Sequence, residues 1–223
     1  MIAIDNFLCK KLSIDSLTLP EGITSVIGRN GSGKTTLLKS VAGIHLPERG
    51  TIDIDGKPPR ETETGWVNEF PDRNILFNNV SDEIASGLRF RQVPCNEITP
   101  RVTALMESMG ILHLQGRLMN ELSGGEKILV ALGAALIHRP RVLILDEYDS
   151  HLDGKKLGEI EDIIRKSNVP YVIRCTQQME TALIGDHLLF LEDGRVRYSG
   201  TPDSVFTCLK DTPFYPFSLR IPI

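Results

Sequence analysis

The 223-residue chain predicts an α/β fold: a mainly parallel sheet with helices on both faces and a small helical subdomain inserted into it. Three observations predict it. Short apolar strands are separated by helical stretches, the pattern of a parallel sheet covered on both sides. A glycine-rich string follows one of those strands directly and opens a helix. The section from about Pro71 to Ile128 carries helical candidates and little strand signal.

The elements follow in order. Ile23 to Ile27 (ITSVI) reads as a buried strand. From Lys34 to Ile44 the pattern is helical, with Leu37, Leu38 and Val41 on one face, until Leu46-Pro47 breaks it. Thr51 to Ile54 (TIDI) alternates and ends at Asp55-Gly56, a hairpin-type turn. Helices are expected over Ser81–Leu88, Asn96–Met109 and Lys127–Ile137. Val142 to Leu145, Tyr171 to Cys175 and His187 to Leu191 read as further buried strands. Asp193-Gly194 turns the chain into Arg195 to Ser199, and a helix is expected from Pro202.

Composition bounds the function classes. With 41% hydrophobic and 24% charged residues the chain has the make-up of a globular protein with its own core. A net charge of −4 advertises no broad nucleic-acid surface. Cys9, Cys95, Cys175 and Cys208 show no metal-binding spacing and read as reduced thiols. The start, MIAIDNFLCKK, has no long apolar region and is not read as a signal peptide. The longest apolar run, Ile128 to Ile137, suits a buried helix and is too short to span a bilayer.

Gly28, Gly33, Lys34 and Thr35 fit G-x-x-x-x-G-K-[ST], the phosphate-binding loop. Glycines let backbone N–H groups curl around an anion, and the following helix adds its positive end. Lys34 is placed to neutralise phosphate charge and Thr35 to hold Mg²⁺ through its hydroxyl. The whole stretch Gly28, Arg29, Asn30, Gly31, Ser32, Gly33, Lys34, Thr35, Thr36 is the candidate ATP site. VLILDE, Val142 to Glu147, is an apolar strand ending in two carboxylates at the carboxyl edge of the sheet. Asp146 is the candidate metal carboxylate and Glu147 the candidate general base for an attacking water. LSGGE, Leu122 to Glu126, puts Ser123, Gly124, Gly125 and Glu126 at a second helix N-terminus, another anion-binding end. One nucleotide does not need two such ends; the second makes sense if it serves a nucleotide held by another subunit.

GRNGSGKTT, LSGGE, VLILDE and SHLD (Ser150 to Asp153) stand in the order and arrangement of the ATP-binding-cassette (ABC) ATPases, which the chain resembles over nearly its whole length. The resemblance implies the ABC ATPase fold: a P-loop NTPase core with a mainly parallel sheet, an antiparallel β subdomain and a small inserted helical subdomain. It implies one domain over 1–223, with the core about 1–70 and 129–223 and the helical subdomain about 71–128. ATP and Mg²⁺ are the implied cofactors. A second ATPase subunit, the same chain or a different one, is the implied head-to-tail partner, with Ser123 to Glu126 completing its ATP site and Asp153 at the interface. The interval from Lys34 to Ser123 is too short for the coiled coils of DNA-repair cassettes. The segment Gly65 to Gly87 and the string GTPDSVF, Gly200 to Phe206, look like those of energy-coupling-factor importers of vitamins and transition-metal ions. That subgroup implies a membrane transporter subunit gripped in a groove near Glu69 to Val80, and a location peripheral on the cytoplasmic face of the cell membrane.

The chain also departs from the family pattern. Gln177, in TQQMETA, stands where the switch histidine belongs, and glutamine cannot become a cation or pass a proton on. Glu69 aligns with the usual metal-contacting glutamine. Tyr148 replaces a common proline. Phe7 is the only aromatic before the loop that could stack on adenine. Many importer subunits of this kind carry a longer C-terminal dimer-forming extension, whereas this sequence ends soon after Phe206. Glu69 and Gln177 with Glu147 retained fit a heterodimer in which this chain hydrolyses slowly, or a branch that tolerates both. Two rivals remain open: an ATP-gated dimerisation module with little turnover, and a cassette ATPase unconnected with transport.

Overall fold

The computed structural model describes residues 1–73, 75–150 and 152–220. Two strands the periodicity did not flag come first, β1 (Ile2–Cys9) and β2 (Leu12–Leu19), and they form an antiparallel pair. Both bury four residues in one phase-shifted pattern: Ile2, Ile4, Phe7, Cys9 and Leu12, Ile14, Leu17, Leu19. A bulge at Asn6, whose φ is 48°, lets both halves of β1 face one core. Phe7 is wholly buried there, so it does not present a ring to a nucleotide.

The glycine loop sits between β3 (Gly22–Gly28) and helix α1 (Lys34–Val41). Leu37, Leu38 and Val41 are the buried face of α1, as their spacing predicts. Strand β4 (Arg49–Ile54) then pairs with β1, completing a three-stranded antiparallel sheet in the order β2-β1-β4. The expected hairpin at Asp55-Gly56 goes no further than one bridge, Ile54 to Lys57. Pro58 and Pro59 have no N–H for a returning ladder, and the chain leaves through a short 3₁₀ turn, Pro59–Glu61. It enters β5 (Thr64–Val67) in the other sheet.

The helices α2 (Val80–Phe90), α3 (Cys95–Ser108) and α4 (Gly124–Leu136) follow. Asn79 caps α2 by accepting from the Ser81 amide at 2.9 Å. The alternation of strand and helix then resumes with β6 (Val142–Asp146), α5 (Gly154–Lys166), β7 (Tyr171–Cys175), α6 (Met179–Leu183) and β8 (His187–Glu192). The chain turns into β9 (Arg195–Gly200) and ends its regular structure with α7 (Pro202–Cys208), capped by Thr201. The large sheet has six strands in the order β5-β6-β7-β3-β8-β9, all parallel except the edge strand β9.

One core lies between the small sheet, α1 and the large sheet; a second lies between the large sheet and α2 to α5; a smaller third packs α6 and α7 on β3 and β8. This layering brings the carboxyl ends of β3, β6 and β7 to one edge, where open parallel sheets take their ligands. No helix among the described residues is long and apolar enough to cross a membrane.

Candidate nucleotide site

The phosphate loop is shaped by positions that no side chain can fill. Gly28 has φ 149°, and a Cβ there would stand 2.2 Å from the Leu191 carbonyl oxygen. The Gly194 amide holds the loop from the β8–β9 turn by donating to the Ser32 carbonyl at 3.2 Å. Lys34 opens α1, is only 5% exposed, and turns its ammonium back into the loop. Its Nζ donates to the Gly28 carbonyl at 2.8 Å and to the Arg29 carbonyl at 3.3 Å. The Ser32 hydroxyl is buried with no partner. A buried ammonium held only by carbonyls, beside an orphaned hydroxyl, leaves unused donor capacity inside a loop of backbone amides. Arg29, Asn30, Gly31 and Thr35 are exposed and Thr36 is half-buried, so the mouth is open. These residues fit a polyphosphate.

The acidic pair ends β6. Register puts Asp146 opposite Cys175, one strand away from β3. Burial pushes the Asp146 carboxyl up; Glu147 and Glu69 push it the same way, while Lys39 and Lys34 oppose them. Asp146 thus feels two other carboxylates and the loop lysine together. Among the described residues no three His, Cys, Asp or Glu side chains enclose a metal ion. Mg²⁺ does not need such a cage, since it takes one or two carboxylates and fills its shell with phosphate oxygens and water. Asp146, Glu69 and the exposed Thr35 hydroxyl suit that mode.

Glu147 sits in the left-handed region, φ 51°, and its amide donates to the Cys175 carbonyl at 3.0 Å. Gln177 is brought directly to it: the Gln177 amide Nε2 donates to Glu147 Oε2 at 2.8 Å. The Cys175 thiol lies 3.8 Å from Glu147 Oε1, and burial pushes that thiol up, so it stays a neutral donor.

Ser123 caps α4. Its Oγ accepts from the Glu126 amide at 3.3 Å, and Glu126 Oε2 accepts from the Ser123 amide at 2.8 Å, a reciprocal capping box. Hydrogen bonds from the Ser123 amide and hydroxyl hold the Glu126 carboxyl below the usual range, with Arg117 and Lys156 adding to the effect. Gly124 has open space where a side chain would be. Gly125 is different: a Cβ there would meet Lys156 Cγ at 2.9 Å, so the Lys156 stem crosses the start of α4. Asp153 caps α5, accepting from the Lys156 amide at 2.7 Å, and is exposed. His151, within the SHLD string, lies outside the described residues.

The two anion-binding helix ends stand apart. α4 packs on the edge strand β5 and on α2, whereas α1 packs on β3, β6 and β7. β5 is three strand spacings from β3, about 14 Å at the usual separation.

Near Glu69 to Val80 a cavity of about 210 Å³ opens beside β5, lined by Trp66, Asn68, Pro71, Ile75, Leu76 and Glu83 among others. Glu83 Oε2 fixes its rim by accepting from the Leu76 and Phe77 amides at 2.9 and 2.8 Å. Lys127 pairs with Asp72 at 2.6 Å across it. Leu76 is 63% exposed. Asn74, in the same stretch, lies outside the described residues.

Sequence reasoning missed a polar network behind the acidic pair. Arg174 is 0% exposed inside β7 and pairs with Glu161 of α5 at 2.6 Å; the Tyr148 hydroxyl donates to the same Glu161 oxygen. The available signal was an arginine inside an otherwise apolar strand, YVIRC.

The model of the ABC transporter family matches residues 12–150. The chain is 35% identical over 204 residues to the energy-coupling factor transporter ATP-binding protein EcfA1 of Lactiplantibacillus plantarum, covering 86% of this chain and 72% of that one. It is 36% identical over 200 residues to the tungstate uptake system ATP-binding protein TupC of Peptoclostridium acidaminophilum, covering 87% and 92%. Among solved structures, cbiO1 from Clostridium perfringens, part of the ABC transporter complex cbiONQ, superposes with TM-score 0.84 at 28% identity, over 92% of this chain and 90% of that one. The ATP-binding cassette MJ0796, a dimer bound to ADP and phosphate, shares the fold with TM-score 0.78 at 21% identity, over 91% and 99%.

Proposed function

Because the chain belongs to the ATP-binding subunits of ABC transporters, we propose that it drives an importer of energy-coupling-factor type, for a vitamin or a transition-metal ion, from the cytoplasmic face of the cell membrane. The observation that carries the paired mechanism is the separation of its two anion-binding ends across the sheet. One nucleotide's phosphates do not reach both. In a head-to-tail pair each ATP lies between Gly28 to Thr36 of one chain and Ser123 to Glu126 of the other, with Asp153 at the interface. The functional unit is a single cassette domain over 1–223, with a core of about 1–70 and 129–223 and a helical subdomain of about 71–128. The groove near Glu69 to Val80 takes a helix of the membrane subunit, which suits an apolar opening with an exposed Leu76.

The chemistry follows from the site. Lys34 leaves its carbonyl partners for β- and γ-phosphate oxygens, and the loop amides hold the rest of the charge. Thr35, Asp146 and Glu69 would hold Mg²⁺, which would supply positive charge against the phosphates. Glu147 orients a water and accepts its proton. The water oxygen bonds to the γ-phosphorus as the bond to the β–γ bridging oxygen breaks, giving ADP and phosphate. Gln177 holds Glu147 through its amide and donates no proton to the reaction. With a neutral group in place of an imidazole, and a carboxylate at 69 near the phosphates, this chain's own site turns over slowly. It lends Ser123 to Glu126 to a more active partner.

The test is MgATP hydrolysis by the purified chain across protein concentration, with Glu147→Gln as the blank. The slow-half reading predicts ATP binding with turnover near the blank until a second ATPase subunit is added. Turnover of the chain alone that rises faster than linearly with concentration, to the level of a typical cassette, overturns it.

A further inference from the structure

We propose that the buried triad Tyr148–Glu161–Arg174 is a positioning device for hydrolysis, fixing the acidic turn and the segment after β7 so that Gln177 meets Glu147. It rests on the hydrolytic reading above and adds residues which that reading does not use.

Arg174 lies in the middle of the large sheet, and each of its three guanidinium nitrogens donates a hydrogen bond. Its Nε donates to Ser25 Oγ at 2.9 Å, Nη1 to Glu161 Oε1 at 2.6 Å, and Nη2 to the Thr181 carbonyl. The Tyr148 hydroxyl, in a side chain 1% exposed, donates to Glu161 Oε1 as well. The triad joins the residue after Glu147, the strand that leads to Gln177, and α6 just beyond it. Ser25 ties in β3, which carries the phosphate loop.

A second tie grips the other flank of Gln177. The wholly buried Asp149 accepts from the Thr176 hydroxyl, and Gln178 Nε2 donates to the Asp149 carbonyl at 2.7 Å. Gln177 thus sits between two residues clamped to the turn that holds Glu147. Buried ion pairs rarely improve on a well-packed apolar core for stability alone. What this network supplies is a fixed geometry. Glutamine at 177 cannot use charge to find its partner, so the scaffold sets the 2.8 Å contact in advance.

The experiment uses the full chain; where turnover requires a partner ATPase subunit, that partner carries an amide in place of its own general-base carboxylate, so that only this chain's site is read. Tyr148→Phe keeps the ring and removes one hydroxyl; Gln177→Ala and the double variant complete a cycle. Tyr148→Phe should lower kcat about 10-fold with KM for MgATP within about twofold, since a small misplacement of reacting groups costs rate rather than binding. That loss should vanish in the Gln177→Ala background, because both changes act through one contact. Amide hydrogen exchange over residues 176–183 should rise in Tyr148→Phe while the melting temperature holds. An unchanged kcat, or a loss of equal size with and without Gln177, overturns the proposal. If the wild type does not exceed the Glu147→Gln blank, the hydrolytic reading fails on its own; unchanged exchange over 176–183 would then overturn the positioning role separately.

Discussion

At the scale of single residues, the contact between Gln177 and Glu147 concentrates the chemistry. The amide holds the carboxylate 2.8 Å away without competing for its proton. An imidazole at 177 would add a group able to carry charge beside the γ-phosphate. Gln177→His should therefore raise turnover, by about 10-fold if it restores one charge-assisted hydrogen bond. A steady-state kcat that stays level or falls would remove neutral Gln177 as the cause of the proposed slow hydrolysis. Asp146 gives a pH test. Burial and two neighbouring carboxylates raise its pKa, so it takes up a proton at a higher pH than an ordinary aspartate. The folded state then holds that proton more tightly than the unfolded chain, and the charged form is a stability cost at neutral pH, relieved as pH falls through the raised value. In the proposed site Mg²⁺ would compete for the same oxygens. Its affinity, titrated with ATP present, should weaken as pH drops while exposed aspartates, with pKa about 4, are still charged. Asp146→Asn should lose that pH dependence.

At the scale of elements, the capping box on α4 serves both the fold and the site. Ser123→Ala removes the acceptor for the Glu126 amide and should cost about 1 kcal/mol at neutral pH. The Glu126 carboxyl is held below its ordinary value in the folded state, so its contribution is complete above the unfolded pKa and disappears as pH falls through the lowered one. Denaturant melts of Ser123→Ala and wild type should draw closer in acid, as the bond from the Ser123 hydroxyl to the Glu126 carboxylate is lost; a gap that stays constant would mean that the Glu126 carboxylate plays no part in the cap. The same scale shows what was legible in the sequence. β3, β6, β7 and β8 are apolar runs buried on both faces, and such runs read directly. β1 and β2 did not, because the bulge at Asn6 in β1 and the consecutive exposed pair Asp15-Ser16 in β2 break the two-residue period that betrays a half-buried strand. β5 is four residues long and lies beside a turn whose hairpin signal pointed elsewhere. α5 opens on Asp153, which was read only as part of a motif although it also caps the helix.

At the scale of the whole molecule, the order of strands matters more than any motif. Loop and acidic pair lie one strand apart from each other across β7, which a strand followed by a glycine loop and a strand ending in acids already implied. The placement of LSGGE on the far edge was not legible, because chain order does not say which strand α4 will cover. Likewise the triad behind Glu147 joins residues distant in sequence, and of the three only Tyr148 was noted there, as a replacement of a proline. In the proposed head-to-tail pairing, a loop and a signature three strand spacings apart make the molecule half of two sites rather than the whole of one. ATP affinity of the dilute, monomeric chain tests this most directly, measured for wild type, Lys34→Ala and Ser123→Arg. Loss of affinity in Lys34→Ala with wild-type affinity in Ser123→Arg is the predicted result. A Ser123→Arg monomer that binds ATP as weakly as Lys34→Ala would contradict it, since the signature would then serve the chain's own nucleotide.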